Sequence, residues 1–322
     1  MRIPNDTGHP YRLDKFVEYQ HEAPSVAPVV ATAFARRRAL ALNQQVELAW
    51  LHSVAYSEIT AALLLDERRT WAKDPEGFWR RSKARLQFGS ARVYVKNNDR
   101  FPAMVRQFYE ATNGKPYDWL RQALTKDTKR SYTAAHKLIC GLEYTGRFAA
   151  DRFLELLIGF GMELEMPYEL DWKKNSNLTS GLFNVLYRDE EADEYDRTGR
   201  LRPGAERELS EALEMVWKAV QRRYPKQRTP LQIVTGKLCS FRNLFKGARY
   251  GGFHHDRQLG FIRAYERVWP SRTSLWAELY EIRREVFPKH LLGEVVGWEG
   301  IRKDRKKLWL TTGRTGVEKE TR

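Results

Sequence analysis

The chain has 322 residues, with 56 Lys and Arg against 41 Asp and Glu, a formal net charge of +15. Its 42% hydrophobic content is enough for a packed core, which excludes a disordered chain. No run of 18 apolar residues exists, so no transmembrane helix is expected, and the opening residues lack the apolar segment of a secretory signal. Two cysteines, Cys140 and Cys239, cannot build a disulfide framework and read as small core residues of a protein kept in a reducing compartment.

In chain order, residues 1–28 are polar and Pro-rich and read as an extended arm. Helical spacing begins at Val29 and runs to Leu42. Val46 to Glu67 contains neither Gly nor Pro and predicts one long buried helix, with His52, Tyr56, Glu58 and Thr60 as polar interruptions. Asp74-Pro75 carries the signature of a helix start, Asp as the cap and Pro at the first helical position. Phe78, Trp79, Leu86 and Phe88 are expected to point inward. Residues 89–98 carry the strongest β character and are expected to form a loop or small ribbon. Phe101-Pro102 opens a further helix that stops at Asn113-Gly114.

Helices are then predicted over 117–124, 131–142 and 147–158, with a turn over 141–146. Residues 165–203 are polar and include an acidic run at 189–196. An amphipathic helix over 203–224 puts Leu209, Leu213, Val216, Trp217 and Val220 on one face. Thr229-Pro230 opens another, and helices over 258–269 and 273–287 precede a basic tail at 291–322. The expected fold is all-α and multi-helical with negligible sheet. A single catalytic domain over 29–290, with a possible seam at 189–204, is the expected organisation.

The positive surplus points to a polyanionic partner, and nucleic acid is the commonest. Forty aromatics, counted as 10 Trp, 15 Tyr and 15 Phe, supply rings for base stacking, although helical spacing assigns most of them to the core. No phosphate-binding GxxxxGK[ST] loop, GxGxxG turn or HExxH pair occurs. Adjacent His254, His255 and Asp256 side chains diverge and make a poor metal site. Any catalysis is therefore expected to use positioned acids, bases and cations, with neither metal nor cofactor.

Three constellations suit that chemistry. In the first, Lys237, Arg242 and Lys246 lead along a helix into a turn holding Arg249, Tyr250, Gly251 and Gly252, followed by His254, Asp256 and Arg257. Lys and Arg hold phosphate oxygens, Gly permits close approach, and Asp256 or His254 can move a proton. In the second, Asp171 sits beside Trp172, Lys173 and Lys174, downstream of the 141–146 turn and the helix opened by Arg147. That order is similar to the helix-hairpin-helix DNA glycosylases, where helix N-terminal amides grip backbone phosphate. The third is the polar cluster around Tyr56 and Glu58, read either as a site wall or as a satisfied group in the core.

Three segments carry a more specific likeness: 55–62 with Tyr56 and Glu58, 238–247 with Cys239, Arg242 and Lys246, and 249–257 with Arg249, Tyr250, Gly252, His254, Asp256 and Arg257. Over roughly residues 46–260 the chain resembles the bacteriophage α-glutamyl/putrescinyl-thymine pyrophosphorylases, or amino acid:DNA transferases. The resemblance implies a helical fold distantly like DNA glycosylases, and an enzyme that displaces pyrophosphate from pyrophosphorylated hydroxymethyluracil in DNA with the amine of an amino acid or polyamine. It implies double-stranded DNA and the amine as partners, no membrane, and the cytoplasm of an infected bacterium.

The site residues under that reading are Asp256, Asp171 and His254 for proton transfer, and Lys246, Arg249, Arg257 and Lys237 for pyrophosphate. Arg242, Tyr250, Gly252, Tyr56 and Glu58 would hold substrate, with Arg242 free to clamp an amino-acid carboxylate. Lys173, Lys174 and Arg147 would grip DNA. Two other readings stay open: a non-enzymatic nucleic-acid-binding protein, and a glycosylase-like enzyme that removes a base.

Overall fold

The computed structural model describes residues 26–168, 176–186, 205–225, 229–245 and 253–287, with Leu13, Asp14, Phe16, Val17, Gln20 and Leu292. Among these residues the protein is helical, with no strand, in agreement with the all-α expectation. No helix among them is long and apolar enough to cross a membrane. The chain divides into two compact units, one of residues 26–165 and 254–292 and the other of 1–25, 166–253 and 293–322. The sequence suggested one domain over 29–290 with a possible seam at 189–204; the two units meet in sequence at 25/26, 165/166, 253/254 and 292/293.

The first unit is built around α2 (Leu42–Ala55), in which every residue from Val46 to Ala55 is buried. A helix apolar on all sides needs neighbours on all sides. They are α3 (Glu58–Asp66), α6 (Val93–Asn97), α8 (Pro116–Arg121) and α10 (Arg147–Gly159). Helix α1 (Val26–Arg37) covers α10, where Thr32 donates to the Gly159 carbonyl at 2.9 Å. The acid within α2, Glu47, is 1% exposed and is held by Arg68 at 2.8 Å and by the Tyr109 hydroxyl.

The long helix expected over 46–67 is broken. Tyr56 takes left-handed angles (φ 50°, ψ 43°), and Ser57 restarts the chain as α3 by accepting the Thr60 amide at 3.2 Å. A serine that caps an N-terminus competes with its own helix interior, which uniform apolar periodicity conceals. Asp74 behaves as expected, accepting the Gly77 amide at 2.8 Å at the head of α5 (Pro75–Ser82), which follows α4 (Arg68–Lys73). Phe78, Trp79, Leu86 and Phe88 are buried, as the pattern requires.

The 89–98 segment forms no ribbon: a 3-10 turn, Ser90–Arg92, runs into α6. Within it the buried Arg92 and Val95 are three apart, a helical spacing, while Val93 and Tyr94 are exposed. No second strand is available to pair with it, and a lone strand leaves its backbone groups unsatisfied. Helix α7 (Phe101–Thr112) ends where expected, at Asn113 and Gly114, both with positive φ. Helices α9 (Thr128–Cys140) and α10 pack together across the 141–146 turn.

In the second unit α11 (Ser176–Val185) lies on α13 (Leu231–Phe245), with Gly181 so close that a Cβ there would come within 2.5 Å of the Leu238 carbonyl oxygen. Helix α12 (Ala205–Arg223) buries Leu209, Leu213, Val216 and Val220 as predicted. Trp217 is half-buried and donates to the Thr229 carbonyl at 2.9 Å. Within the stretch read as an extended arm, Leu13, Asp14, Phe16, Val17 and Gln20 are helical, and Phe16 is buried edge-on against Phe241 at 5.3 Å. The apolar Phe16-Val17 pair decides this, since it gains more from burial than a polar arm would.

Helix α14 (Phe253–Val268) starts five residues earlier than its predicted start at Gln258, and α15 (Thr273–Val286) follows. His254, His255, Asp256 and Arg257 therefore lie in the opening turn of a helix, not in the turn before it. An acid in a first helical turn is favoured by the backbone dipole.

Candidate functional site

The α2–α3 break is a meeting point of polar groups. The Arg257 guanidinium, from α14, donates to the Tyr56 carbonyl at 3.1 Å and lies 5.5 Å from the centre of the Tyr56 ring. The Phe148 ring, from α10, meets the other part of this cluster edge-on, 4.9 Å from Tyr56. Phe148 is 41% exposed, and Arg152 stands 5.7 Å over it. Gly89 closes the site from below: a Cβ there would come within 2.4 Å of the Tyr56 carbonyl oxygen and 2.5 Å of the Arg257 guanidinium. Only glycine permits that approach.

His52, one turn before Tyr56, is buried, and neither ring nitrogen completes a hydrogen bond of ordinary geometry. Burial first, and then the positive charges of Arg152 and Arg257, push its pKa down to about 3, weakly opposed by the Ser57 backbone. The ring is therefore neutral at physiological pH. The charges of Arg152 and Arg257 thus act on a neutral, buried imidazole.

Arg147 opens α10 after Gly146, whose extended backbone brings no side-chain cap. Both terminal nitrogens of its guanidinium are buried and make no hydrogen bond. Uncapped first-turn amides beside idle guanidinium donors can accept an anion.

Glu58 serves a different network. Its Oε1 accepts from Gln258 at 2.7 Å, and Gln258 in turn accepts from the fully buried Arg283. Arg283 also donates to the His255 carbonyl at 3.2 Å and the Leu292 carbonyl at 2.9 Å. Thr60 shares a 2.8 Å hydrogen bond with Tyr265, whose ring stacks on Trp276 at 5.5 Å. Of the polar cluster on the expected 46–67 helix, Thr60 is therefore a satisfied core group, while Tyr56 faces Arg257.

The structure brings Tyr56 and Arg257 of the expected site together at this break, with Arg147 opening the α10 helix that carries Phe148, while Glu58 is held by Gln258. His254 is half-buried and Asp256 is 1% exposed, both in the first turn of α14. Lys237 is buried in α13 of the other unit, and Arg242 lies on the same helix. Asp171, Lys173, Lys174, Lys246, Arg249, Tyr250 and Gly252 lie outside the described residues. Among the described residues no three His, Cys, Asp or Glu side chains are grouped to hold a metal ion.

No protein-family model, curated protein sequence or solved structure matches the chain. The geometry of the α2–α3 break therefore has to be read on its own chemistry.

Sequence reasoning singled out Tyr56 and Arg257 but passed over Arg152, Phe148 and Gly89. The signal for Phe148 and Arg152 was their four-residue spacing on one helix face. No local signal marks Gly89, because its role depends on Tyr56, 33 positions earlier, as shown by the Gly89 amide donating to the Ala55 carbonyl at 2.8 Å.

The tryptophans behave as a core set. Trp50, Trp71, Trp79, Trp119, Trp269 and Trp276 are buried, so none of these offers a face to a base. Phe148 and Tyr94 are the large exposed rings among the described residues.

Proposed function

We propose that the chain is a DNA base-hypermodifying transferase, acting on pyrophosphorylated hydroxymethyluracil with an amine as nucleophile. The observation that carries this reading is Arg257 held against Tyr56 at the α2–α3 break, beside the exposed Phe148 ring. Arg152 is paired with Glu155 at 2.5 Å, so Arg257, which donates to the Tyr56 carbonyl, is the cation that suits a diphosphate leaving group. The net charge of +15 supplies the attraction to DNA.

In the proposed reaction the amine nitrogen bonds to the exocyclic carbon of the base as the carbon–oxygen bond to pyrophosphate breaks. The nitrogen then loses a proton to a base. Arg257 and Arg147 hold the departing diphosphate. Phe148, exposed beside Tyr56, offers a ring on which an unstacked base can rest. His254 is the better exposed of the two α14 candidates for proton transfer, and Asp256 is the more deeply buried. The distant likeness to DNA glycosylases and the setting of an infected bacterium belong to the same proposal.

The basic surplus by itself also supports a second reading, a nucleic-acid-binding protein without catalysis. One experiment separates them. DNA carrying pyrophosphorylated hydroxymethyluracil is incubated with the protein and a pool of amino acids and polyamines, and the nucleosides are weighed by mass spectrometry. A new nucleoside heavier by one amine supports the transferase. Unchanged nucleosides with salt-sensitive binding support the second reading, and abasic sites support a glycosylase-like enzyme.

A further inference from the structure

Away from the α2–α3 break, α9 and α10 bring a thiol, an imidazole and a carboxylate into line. Cys140 Sγ lies 3.7 Å from His136 Nδ1, one turn earlier on α9. The opposite nitrogen, His136 Nε2, lies 3.4 Å from Asp151 on α10. The carboxylate thus orients the ring, and the ring faces the sulfur, the order of groups that activates a nucleophile. Cys140 carries no disulfide and is half-buried, while His136 and Asp151 side chains are 23% and 26% exposed. All three are reachable from solvent.

We propose that Cys140 is a reactive thiol, activated by His136 and positioned by Asp151, whose substrates are small hydroperoxides. The thiol proton leaves to solvent, and the sulfur stays charged beside the His136 imidazolium. The sulfur attacks one peroxide oxygen, the O–O bond breaks, and His136 gives a proton to the departing hydroxide, to be reprotonated from solvent. Sulfur is oxidised to sulfenic acid, and one peroxide oxygen is reduced to water.

Hydrogen peroxide is the simplest member of that class. It needs a charged sulfur and a proton donor for the leaving oxygen, and no shaped pocket. The charges acting on His136 are Asp151 from α10, the element packed on α9, and Cys140 from its own helix; exposed Lys137 adjoins it in sequence. The hydrogen bond to Asp151, then that to Cys140, raises His136 to about 9, so the ring is charged at neutral pH. This charge opposes the helix C-terminal dipole, which disfavours a charged sulfur at Cys140.

The test compares the two cysteines in the intact chain. Iodoacetamide labelling at pH 7, followed by peptide mass mapping, gives the rate at each site, and the same labelling in urea gives the unfolded rate. Cys140 in the native chain is expected to react roughly tenfold faster than in urea, whereas half-buried Cys239 is slower folded than unfolded. His136→Asn should abolish the Cys140 excess and move its pH–rate curve upward, with Asp151→Asn between. Stoichiometric hydrogen peroxide followed by dimedone should label Cys140 and spare Cys239. A native Cys140 no faster than its urea-unfolded form overturns the proposal, and that comparison needs no variant. So does a peroxide adduct found equally on both cysteines.

Discussion

Arg257 donates to the main-chain carbonyl of Tyr56 across 3.1 Å, and Tyr56 is a non-glycine residue in the left-handed region. That conformation costs about 1–2 kcal/mol. A hydrogen bond from a charged donor contributes about 1.5–3 kcal/mol, enough to offset it. The break that Ser57 begins by capping α3 is thus locked from a helix some 200 residues away. Strain held in this way concentrates at functional positions.

Arg257→Gln should therefore affect both stability and binding. The expected melting temperature falls by several degrees, since about 2–4 °C accompanies each kcal/mol in a unit of this size. DNA affinity should also fall. Thermal melting and a binding titration check both. An unchanged melting temperature would mean that the Tyr56 carbonyl contact contributes nothing.

Gly89→Ala tests the closeness of the packing. The added methyl would sit 2.4 Å from the Tyr56 carbonyl oxygen, so backbone must move. A loss of about 1–3 kcal/mol is expected, as for other overpacked sites. Hydrogen exchange should quicken at the Gly89 amide, which bonds the Ala55 carbonyl.

His52 makes the fold sensitive to acid. Its folded pKa of about 3 lies below the unfolded value of 6.5, so the folded state disfavours the protonated ring. The contribution is fully present above pH 6.5 and is lost as pH falls toward 3. His136 has the opposite sign: its folded value of about 9 gives stability that is present below pH 6.5 and lost as pH rises through 9. Urea unfolding across pH should show His52→Gln flattening the acid limb and His136→Gln the alkaline limb. Variants that leave both limbs unchanged would contradict these assignments.

Arg147→Ala should separate binding from stability. Its buried guanidinium nitrogens make no hydrogen bond, so removing them should leave melting unchanged or slightly raised. If Arg147 contacts one phosphate, the slope of log affinity against log salt should fall by about 1. A large drop in melting temperature with an unaltered salt slope would make Arg147 a purely structural residue.

Much of the helical frame was legible locally. The Asp74-Pro75 start, the Asn113-Gly114 stop and the buried face of α12 follow from cap chemistry and periodicity. The break at Tyr56 was not, because a capping serine inside an apolar run looks like any other small residue. The helical start of α14 was missed for a related reason: Gly251 and Gly252 suggested a turn continuing through His254 and Asp256. At the site, Tyr56 and Arg257 could be marked from composition, since polar groups interrupt an apolar helix and basic groups follow glycines. Their partnership could not, because it joins positions 201 residues apart.

The most direct test of the transferase account is pyrophosphate release from DNA bearing pyrophosphorylated hydroxymethyluracil, followed with and without added amine. The account predicts release that requires the amine, matches the new nucleoside one for one, and is sharply reduced in Arg257→Gln. Tight DNA binding with no amine-dependent release from the wild-type protein would contradict it.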